Sequence, residues 1–346
     1  MLRTLLQDNA TNCSDAMAPL NRYFLPAAYG LIFAVGLVGN VTAISVYVAV
    51  LRPWKSGSII MVNLALADLL YMLTLPFLVH YYTNGEAWSM GPLLCCLVRF
   101  AFHLNLYSSV LLLTCLTAFR WLAVARPLRA AQVRRRSWGL AACAAAWAAA
   151  VAGVGPMLGL LSATEVADGG GVRTACLDFA SSTPREAVAL YSWLLTALGF
   201  LLPLAVVAGC NAGIVWELAR GPYTGSPCRA RARRLTVAIL AVFVVCFLPY
   251  HVLRVLRVTT LLAPEDWSCA ARRGIHAAYI VSRPLAAVNT LCNLALYTLA
   301  GERFHRAVLR IVSTGRRRSG SPLGPVHAPK TAANGRRSYV VDKAIR

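Results

Sequence analysis

The sequence predicts an all-α membrane protein: a bundle of seven transmembrane helices, with a short amphipathic helix on the membrane surface after the seventh span. Three observations carry this prediction. Of the 346 residues, 58% are hydrophobic and only 14% are charged, a balance too apolar for a soluble domain. The apolar residues gather into long runs, and the basic residues between those runs alternate from loop to loop.

Seven apolar runs are long enough to cross a bilayer, since a helix needs about 20 apolar residues to span the hydrocarbon core. They cover residues 24–50, 58–82, 93–125, 138–161, 188–218, 235–262 and 275–300. The fourth run is rich in alanine and only moderately apolar, so by itself it also fits a short soluble helix. The six neighbouring runs and the polarity of the loops favour a seventh span.

The basic residues of the loops predict the orientation of the chain. They concentrate in the first, third and fifth loops and in the tail: Arg52 and Lys55; Arg126, Arg129 and Arg134 to Arg136; Arg220, Arg229, Arg231, Arg233 and Arg234; and Arg316 to Arg318. The other loops mix both signs, as Glu165, Asp168 and Arg173 do. The positive-inside rule therefore places the odd loops and the C-terminus in the cytosol and the N-terminus outside. The formal net charge of +21 follows this loop pattern, which argues against nucleic-acid binding.

This topology divides the chain into four regions. Residues 1–23 are predicted to be an extracellular tail, 24–300 the transmembrane domain, 301–312 the amphipathic helix and 313–346 a disordered cytoplasmic tail. Within 301–312, Phe304, Val308 and Ile311 share one helical face. The first tail carries N-glycosylation sequons at Asn9 and Asn12, although a polar tail without glycans fits the same composition.

Short motifs, one in each span, resemble those of a known family. They are Gly39-Asn40, Leu64-Ala-Leu-Ala-Asp68, Phe119-Arg120-Trp121, Trp147 followed by Pro156, Pro203, Phe243 to Pro249, and Asn293 to Tyr297. In this order they resemble the rhodopsin-like (class A) G-protein-coupled receptors, from about Tyr23 to Val312. The resemblance implies a plasma-membrane receptor without enzyme activity or cofactor. It would bind a small molecule, couple to a heterotrimeric G protein, and have arrestin and receptor kinases as further partners.

The resemblance assigns activation and G-protein coupling to three residues near the cytosolic end: Arg120, Asn293 and Tyr297. This sequence departs from the family pattern at Phe119, which replaces the usual acid, at Trp121, which replaces tyrosine, and at Leu294, which replaces proline. We therefore expect contacts other than an ion pair with its neighbour to hold Arg120 in the resting state.

A polar network is implied between the helices. Its members are Asp68, Asn40, Ser109, Asn289 and Asn293. In the family such a network resembles a sodium site that holds the inactive state, and the alternative is a hydrogen-bonded network with water. Beyond this sodium ion, no metal is predicted.

Most of the eleven cysteines lie inside apolar runs, where a thiol behaves as a small buried hydrophobe. The resemblance implies a disulfide between Cys95, at the outer mouth of the third span, and Cys176 in the second outer loop. Cys96 competes with Cys95 for this role. A second implied bridge joins Cys13 to Cys269, and both would lie outside the cell, where disulfides persist.

Cationic and aromatic side chains recur on the outer halves of the third, sixth and seventh spans. Helical spacing groups them by face: Arg99, His103 and Tyr107; His251 and Arg254; Tyr279 and Arg283. No acidic residue lies at similar depth in the spans, and an unpaired buried charge is costly, so an anion or an acidic loop must complete the site. Arginines that reach the lipid headgroups are the alternative, which fits Arg283 poorly. We expect Asp178 to pair with one arginine in the empty protein and to be displaced on binding.

The arginine fork binds carboxylates bidentately, so three arginines suit a ligand with two acidic groups. Two segments in particular, Arg99 to Ser109 and Ala278 to Ala287, resemble the branch of the family that contains receptors for 2-oxoglutarate, succinate and nucleotides. This implies a dicarboxylate ligand, first 2-oxoglutarate and then itaconate or a cysteinyl leukotriene, with signalling through Gq and calcium release. A succinate or a nucleotide (purinergic) receptor is the alternative. A dicarboxylate transporter is the alternative from another class, although no inverted repeat is visible.

Overall fold

The computed structural model describes residues 19–126, 131–132, 134–161, 163–168, 171–220 and 227–300, together with residues 304 and 307. Within these residues the chain forms seven long helices and one β-hairpin. The predicted seven-helix bundle is confirmed.

The first four long helices are nearly continuous. Helix α1 spans Leu20–Ala49, α2 spans Ser56–Thr83, α3 spans Pro92–Ala125 and α4 spans Arg136–Gly159. Helix α2 consists of the segments Ser56–Met72 and Leu75–Thr83, and α4 ends in the 3₁₀ turn Gly155–Gly159. Short 3₁₀ turns at Phe179–Ser181 and Pro264–Asp266 lie in the loops before α5 and α7.

The last three helices are interrupted. Helix α5 comprises Arg185–Thr196, Ala197–Leu201 and Leu202–Arg220, and α6 comprises Pro227–Ala241, Val242–Phe247 and Leu248–Leu262. Helix α7 comprises Cys269–Ala287 and Asn289–Ala300. Helices α1 to α6 are each long and apolar enough to cross a membrane. Helix α7 completes the bundle, but it is divided at Val288 and its first segment contains three arginines.

The middle segments of α5 and α6 are π-helical, and each leads into a proline. Proline has no N–H, so the carbonyl four residues before it loses its helical partner. For Pro203 and Pro249 those carbonyls belong to Gly199 and Val245, which lie within the two π segments. The wider π turns therefore occur where the prolines have already weakened the α-helical ladder.

Strand β1 (Ala163–Asp168) pairs antiparallel with β2 (Gly171–Cys176), with Ala163 opposite Cys176. The sequence pattern does not predict this hairpin, because its strands are short and mix small, polar and apolar residues. The predicted Cys95–Cys176 disulfide is present and joins β2 to the start of α3. Its competitor Cys96 is a free thiol that donates a hydrogen bond to the Leu161 carbonyl at 3.2 Å. We call this end of the bundle the hairpin end.

Several predictions concern residues outside the described part of the chain. These are the sequons at Asn9 and Asn12, residue Cys13 of the second bridge, the tail 313–346 and most of the amphipathic segment 301–312. Cys269, the other half of the second bridge, is disulfide-bonded. Phe304 from the amphipathic segment is buried, with its ring centroid 5.3 Å from that of Tyr47 on α1.

Helices α1 and α7 approach closely at Gly39. A Cβ atom placed on Gly39 would clash with Cδ1 of Leu294, the residue that departs from the family's usual proline. Glycine at this position therefore provides the space that the leucine side chain fills.

Replacing Gly39 with alanine should lower the thermal stability of the purified protein, because overpacking a filled core costs about 1–3 kcal/mol. Gly30→Ala is the matched control on the same helix, since a Cβ there meets nothing within 4 Å. Differential scanning fluorimetry should give a lower Tm for Gly39→Ala alone, and Leu294→Ala in the same chain should recover part of the loss. Equal Tm values for the two glycine variants would contradict this packing.

Candidate functional site

Two arginines face each other at the hairpin end across one tyrosine hydroxyl. Arg99 on α3 donates from Nη1 to Tyr82 Oη at 3.3 Å, and Arg283 on α7 donates from Nη1 to the same oxygen at 3.0 Å. The side chains are well buried, since Arg99 is 6% and Arg283 7% exposed. Arg99 also donates from Nη2 to the Cys176 carbonyl at 2.6 Å. The disulfide-bonded hairpin therefore closes over the two cations.

Asp178 supplies a carboxylate to this pair. Its Oδ2 lies 3.3 Å from Nη1 of Arg283, and its Oδ1 accepts a hydrogen bond from the Ser181 backbone N–H at 3.1 Å. Burial alone would raise the pKa of Asp178, but the charges of Arg283 and Arg99 outweigh it and hold the pKa below its ordinary value. Asp178 is therefore an anion at neutral pH.

A cavity lies between these groups. The volume open to the centre of a water molecule is only about 10 Å³, which is room for a single water. Its walls are Tyr29, Leu78, Val98, Arg99, Phe102, His103, Asp178, Tyr250, Tyr279 and Arg283. The carboxylate of Asp178 therefore occupies part of the space in which another anion would meet the arginines.

His103 is held by both ring nitrogens. Nδ1 lies 2.9 Å from the Arg99 carbonyl oxygen, and Nε2 lies 3.0 Å from Tyr250 Oη. Because a carbonyl can only accept, Nδ1 carries the hydrogen, and Nε2 of the neutral ring then accepts from the tyrosine hydroxyl. Tyr250 is thus a member of the site that the sequence did not single out.

Arg254 lies in a second cluster, between α3, α5 and α6. It is fully buried and donates to Tyr107 Oη at 2.7 Å and to Thr196 Oγ1 at 2.9 Å. His251 lies beside it, with Nδ1 3.4 Å from Nη2 of Arg254 and its ring stacked on Phe200 at 4.3 Å. Among the described residues no carboxylate forms an ion pair with Arg254. The predicted cationic set is therefore divided between two neighbouring clusters.

Tyr250 connects the two clusters. Its ring centroid lies 5.5 Å from the guanidinium carbon of Arg254, while its hydroxyl contacts His103 and its side chain lines the cavity. Tyr279 stacks on the same ring at 6.0 Å. An elongated ligand that binds Arg99 and Arg283 would have to pass this tyrosine in order to reach Arg254.

The predicted polar network is centred on Asp68. Asn105 donates to its Oδ1 at 3.0 Å and Asn293 to its Oδ2 at 2.9 Å. The network also includes Tyr297, whose hydroxyl donates to Asn40 Oδ1 at 3.4 Å, whereas Ser109 Oγ and both amide atoms of Asn289 are buried with no hydrogen-bond partner among the described residues. Asn105 is the member that the family motifs did not identify. The unpartnered oxygens leave ligands for a water molecule or a small cation.

Arg120 lies near the opposite end of α3. Its Nη2 donates to the backbone carbonyl of Ala232 on α6 at 2.8 Å, and its Nη1 is buried with no partner in the described part of the chain. A backbone oxygen therefore takes the place of the side-chain acid that position 119 lacks.

Comparison with known proteins places these features in context. Residues 39–297 match the family described as 7 transmembrane receptor (rhodopsin family). The chain is 46% identical over 296 residues to 2-oxoglutarate receptor 1 of Rattus norvegicus, covering 86% of each chain. It is 44% identical over 301 residues to the Mus musculus protein of that name, covering 87% of this chain and 88% of that one. A purinoceptor of Homo sapiens is 34% identical over 321 residues, with 92% of this chain and 85% of that one covered.

Tyr82→Phe should destabilise the ligand-free protein, because both buried guanidinium groups lose their shared acceptor. Hydrogen bonds to charged groups contribute about 1.5–3 kcal/mol, so a fall of several degrees in Tm is expected in differential scanning fluorimetry. Tyr23→Phe, at a residue that is 70% exposed, is the matched control. If Tyr82→Phe melts at the temperature of the control, the hydroxyl does not bridge the two arginines.

Proposed function

The chain belongs to the rhodopsin family of seven-transmembrane receptors, and on that basis we propose that it is a receptor for a small dicarboxylate, first of all 2-oxoglutarate. As a member of this family it is a multi-pass membrane protein that binds a small-molecule ligand and couples to a G protein, and it is not an enzyme. The proposal concerns the identity of the ligand.

The observation that carries the proposal is a charge imbalance in a buried site. Arg99 and Arg283 share one tyrosine hydroxyl, and Asp178 is the carboxylate that pairs with Arg283. In the part of the chain that the structure describes, two guanidinium charges thus face a single carboxylate in a region that water hardly enters. Since unpaired buried charge is costly, an anionic ligand gains affinity by completing the site.

The chemistry of the site favours a carboxylate at each end of the ligand. One carboxylate would replace that of Asp178 and bind the forks of Arg99 and Arg283, which match its planar geometry. The other would extend past Tyr250 to Arg254, whose present hydrogen-bond partners are neutral. Tyr107 and His251 would then support Arg254, as they contact it in the empty protein.

The keto group distinguishes 2-oxoglutarate from succinate. Tyr279 lines the cavity and stacks on Tyr250, so its hydroxyl would meet the middle of a short dicarboxylate as a hydrogen-bond donor. A site that hydrogen-bonds a substrate oxygen discriminates against the analogue that lacks it. The relatives named as 2-oxoglutarate receptors support this choice over succinate, and itaconate and a cysteinyl leukotriene follow as further ligands.

Asp178 would act as a tethered competitor. In the empty receptor it occupies the carboxylate position, and the remaining space has room for one water molecule. The ligand must displace Asp178 and open the cavity, so its affinity reflects the difference between its own contacts and those of the tethered anion. Displacement of a loop residue by the ligand also offers a route from binding to movement of the helices.

A nucleotide receptor is the second candidate. The purinoceptors are also similar to this chain, and arginine forks bind phosphate as well as carboxylate. A nucleotide is much larger than the closed cavity, however, and would require a wider opening than a dicarboxylate. We therefore rank it below 2-oxoglutarate.

The remaining features of the proposal concern topology and signalling. We place the hairpin end and the N-terminal tail outside the plasma membrane, with glycans on Asn9 or Asn12, and assign coupling to Gq, calcium release, arrestin and receptor kinases. Arg120 would contact the G protein, and the Asp68 network would hold a sodium ion in the resting state. The positive-inside pattern of the loops supports this orientation.

Arg283→Gln should abolish or severely weaken the response to 2-oxoglutarate, because losing one partner of a buried charge pair costs about 2–5 kcal/mol, equivalent to a rise in EC50 of more than about 30-fold. Calcium flux in transfected cells, normalised to surface receptor, measures the effect. Arg273→Gln, an exposed position on the same helix, is the matched control.

The same assay should rank 2-oxoglutarate above itaconate, succinate, cysteinyl leukotrienes and nucleotides. Uptake of labelled 2-oxoglutarate should remain at the level of untransfected cells. An unchanged dose–response curve for Arg283→Gln would contradict the proposed anion site. Uptake of labelled 2-oxoglutarate without calcium release would indicate a transporter.

Asp178→Asn should increase the potency of 2-oxoglutarate by about tenfold, corresponding to about 1.4 kcal/mol, because the competing charge is removed. Asparagine keeps an oxygen that can accept from the Ser181 N–H, so the turn at Phe179–Ser181 is preserved. Radioligand competition on membranes measures the shift. Weaker binding by Asp178→Asn would show that the carboxylate supports the ligand rather than competing with it.

A further inference from the structure

Helices α3 and α5 make a close contact near the end opposite the hairpin. A Cβ atom placed on Gly213 would clash with Nε1 of Trp121 and lie 2.7 Å from its Cδ1. The indole of Trp121 therefore lies directly against the backbone of α5, in a place that any side chain at position 213 would occupy. Trp121 is one of the residues at which this sequence departs from its family.

The residue beside Trp121 is Arg120, and its position depends on distances between helices. Arg120 is held by the Ala232 carbonyl on α6 at 2.8 Å. That acceptor belongs to a backbone, and residue 119 is phenylalanine, so no carboxylate at that position steers the guanidinium. Where Arg120 lies thus depends on how closely α6 packs against α3, and α5 contacts both of these helices.

Polar groups alone would not hold these three helices together. In the described part of the chain, both amide atoms of Asn211 on α5, Oγ1 of Thr236 on α6 and Nη1 of Arg120 are buried without hydrogen-bond partners. Buried polar atoms without partners favour a looser arrangement that water can enter. Packing between the helices must offset this cost. The indole of Trp121 against Gly213 provides such packing between α3 and α5 at this end.

We propose that Trp121 and Gly213 form a matched pair that positions Arg120 and restrains coupling to the G protein in the resting receptor. Glycine is required at position 213 because the indole fills the space of its side chain. Any movement of α5 away from α3 must separate or slide this contact. Both are positioning residues that act through Arg120, so the proposal rests on the proposed contact of Arg120 with the G protein and is independent of which ligand binds at the hairpin end.

Gly213→Ala tests the pair directly. The added methyl group must displace the indole, which should weaken the restraint on Arg120. Ligand-independent nucleotide exchange on a purified G protein, normalised to the amount of surface receptor, should therefore rise roughly fivefold. Gly209→Ala is the matched control on the same helix, because a Cβ there meets nothing within 4 Å. Its basal exchange should equal that of the wild type.

Combining Trp121→Phe with Gly213→Ala distinguishes a role in positioning Arg120 from a general loss of structure. The smaller ring leaves room for the methyl group, so basal exchange of the double variant should fall below that of Gly213→Ala and towards the wild-type level. A variant that merely misfolds would lose surface expression and ligand binding, and the phenylalanine would not restore basal restraint. Wild-type basal exchange in Gly213→Ala, or effects of the two substitutions that simply add, would overturn the proposal.

Discussion

The burial of cationic side chains in an apolar bundle is the constraint on which the rest of this structure depends. A guanidinium in such surroundings needs hydrogen-bond acceptors from several directions, and at the hairpin end those acceptors come from separate parts of the chain. Arg99 and Arg283 draw a tyrosine from α2, a backbone carbonyl from β2 and a carboxylate from the loop that follows. The position of the loop and the spacing of the helices both serve this requirement.

The disulfide has a clear role within that arrangement. Cys176 is bonded to Cys95 at the start of α3, and its own carbonyl accepts from Arg99 on the same helix. This double attachment brings Asp178 over the cavity and limits how far its carboxylate can move. A carboxylate held nearby by the chain has a high effective concentration, so a free ligand must make better contacts than the chain itself provides.

The sequence predicts those features of the fold and the site that depend on residues close together in the chain. Hydropathy and loop charge depend on local composition, so they identify the seven spans and the depth of Arg99 and Arg283. Helical spacing also groups Arg254 with His251 correctly. Which groups meet across the bundle is a different matter: Arg283 and Tyr82 are 201 residues apart in the chain, and Arg254 and Tyr107 are 147 apart. Only the packing of helices reveals that Arg254 has its own partners, that Tyr250 joins the two clusters, and that Asn105 completes the Asp68 network.

The two ends of α3 hold a buried arginine in different ways. Arg99 lines the cavity and donates to a tyrosine hydroxyl and to the backbone carbonyl of Cys176, whereas Arg120 donates to a backbone carbonyl on α6 and its Nη1 has no partner among the described residues. The first arginine lies at a cavity, and the second is held by a contact that depends on the distance between α3 and α6. Between them, Asp68 accepts from Asn105 on α3 and Asn293 on α7. Because α3 and α7 also carry the two facing arginines, a shift between these helices at the hairpin end must be accommodated at Asp68. Phe119 offers no carboxylate to Arg120, and Trp121 packs against α5. Helix packing, rather than an ion pair at Arg120, therefore resists such a shift.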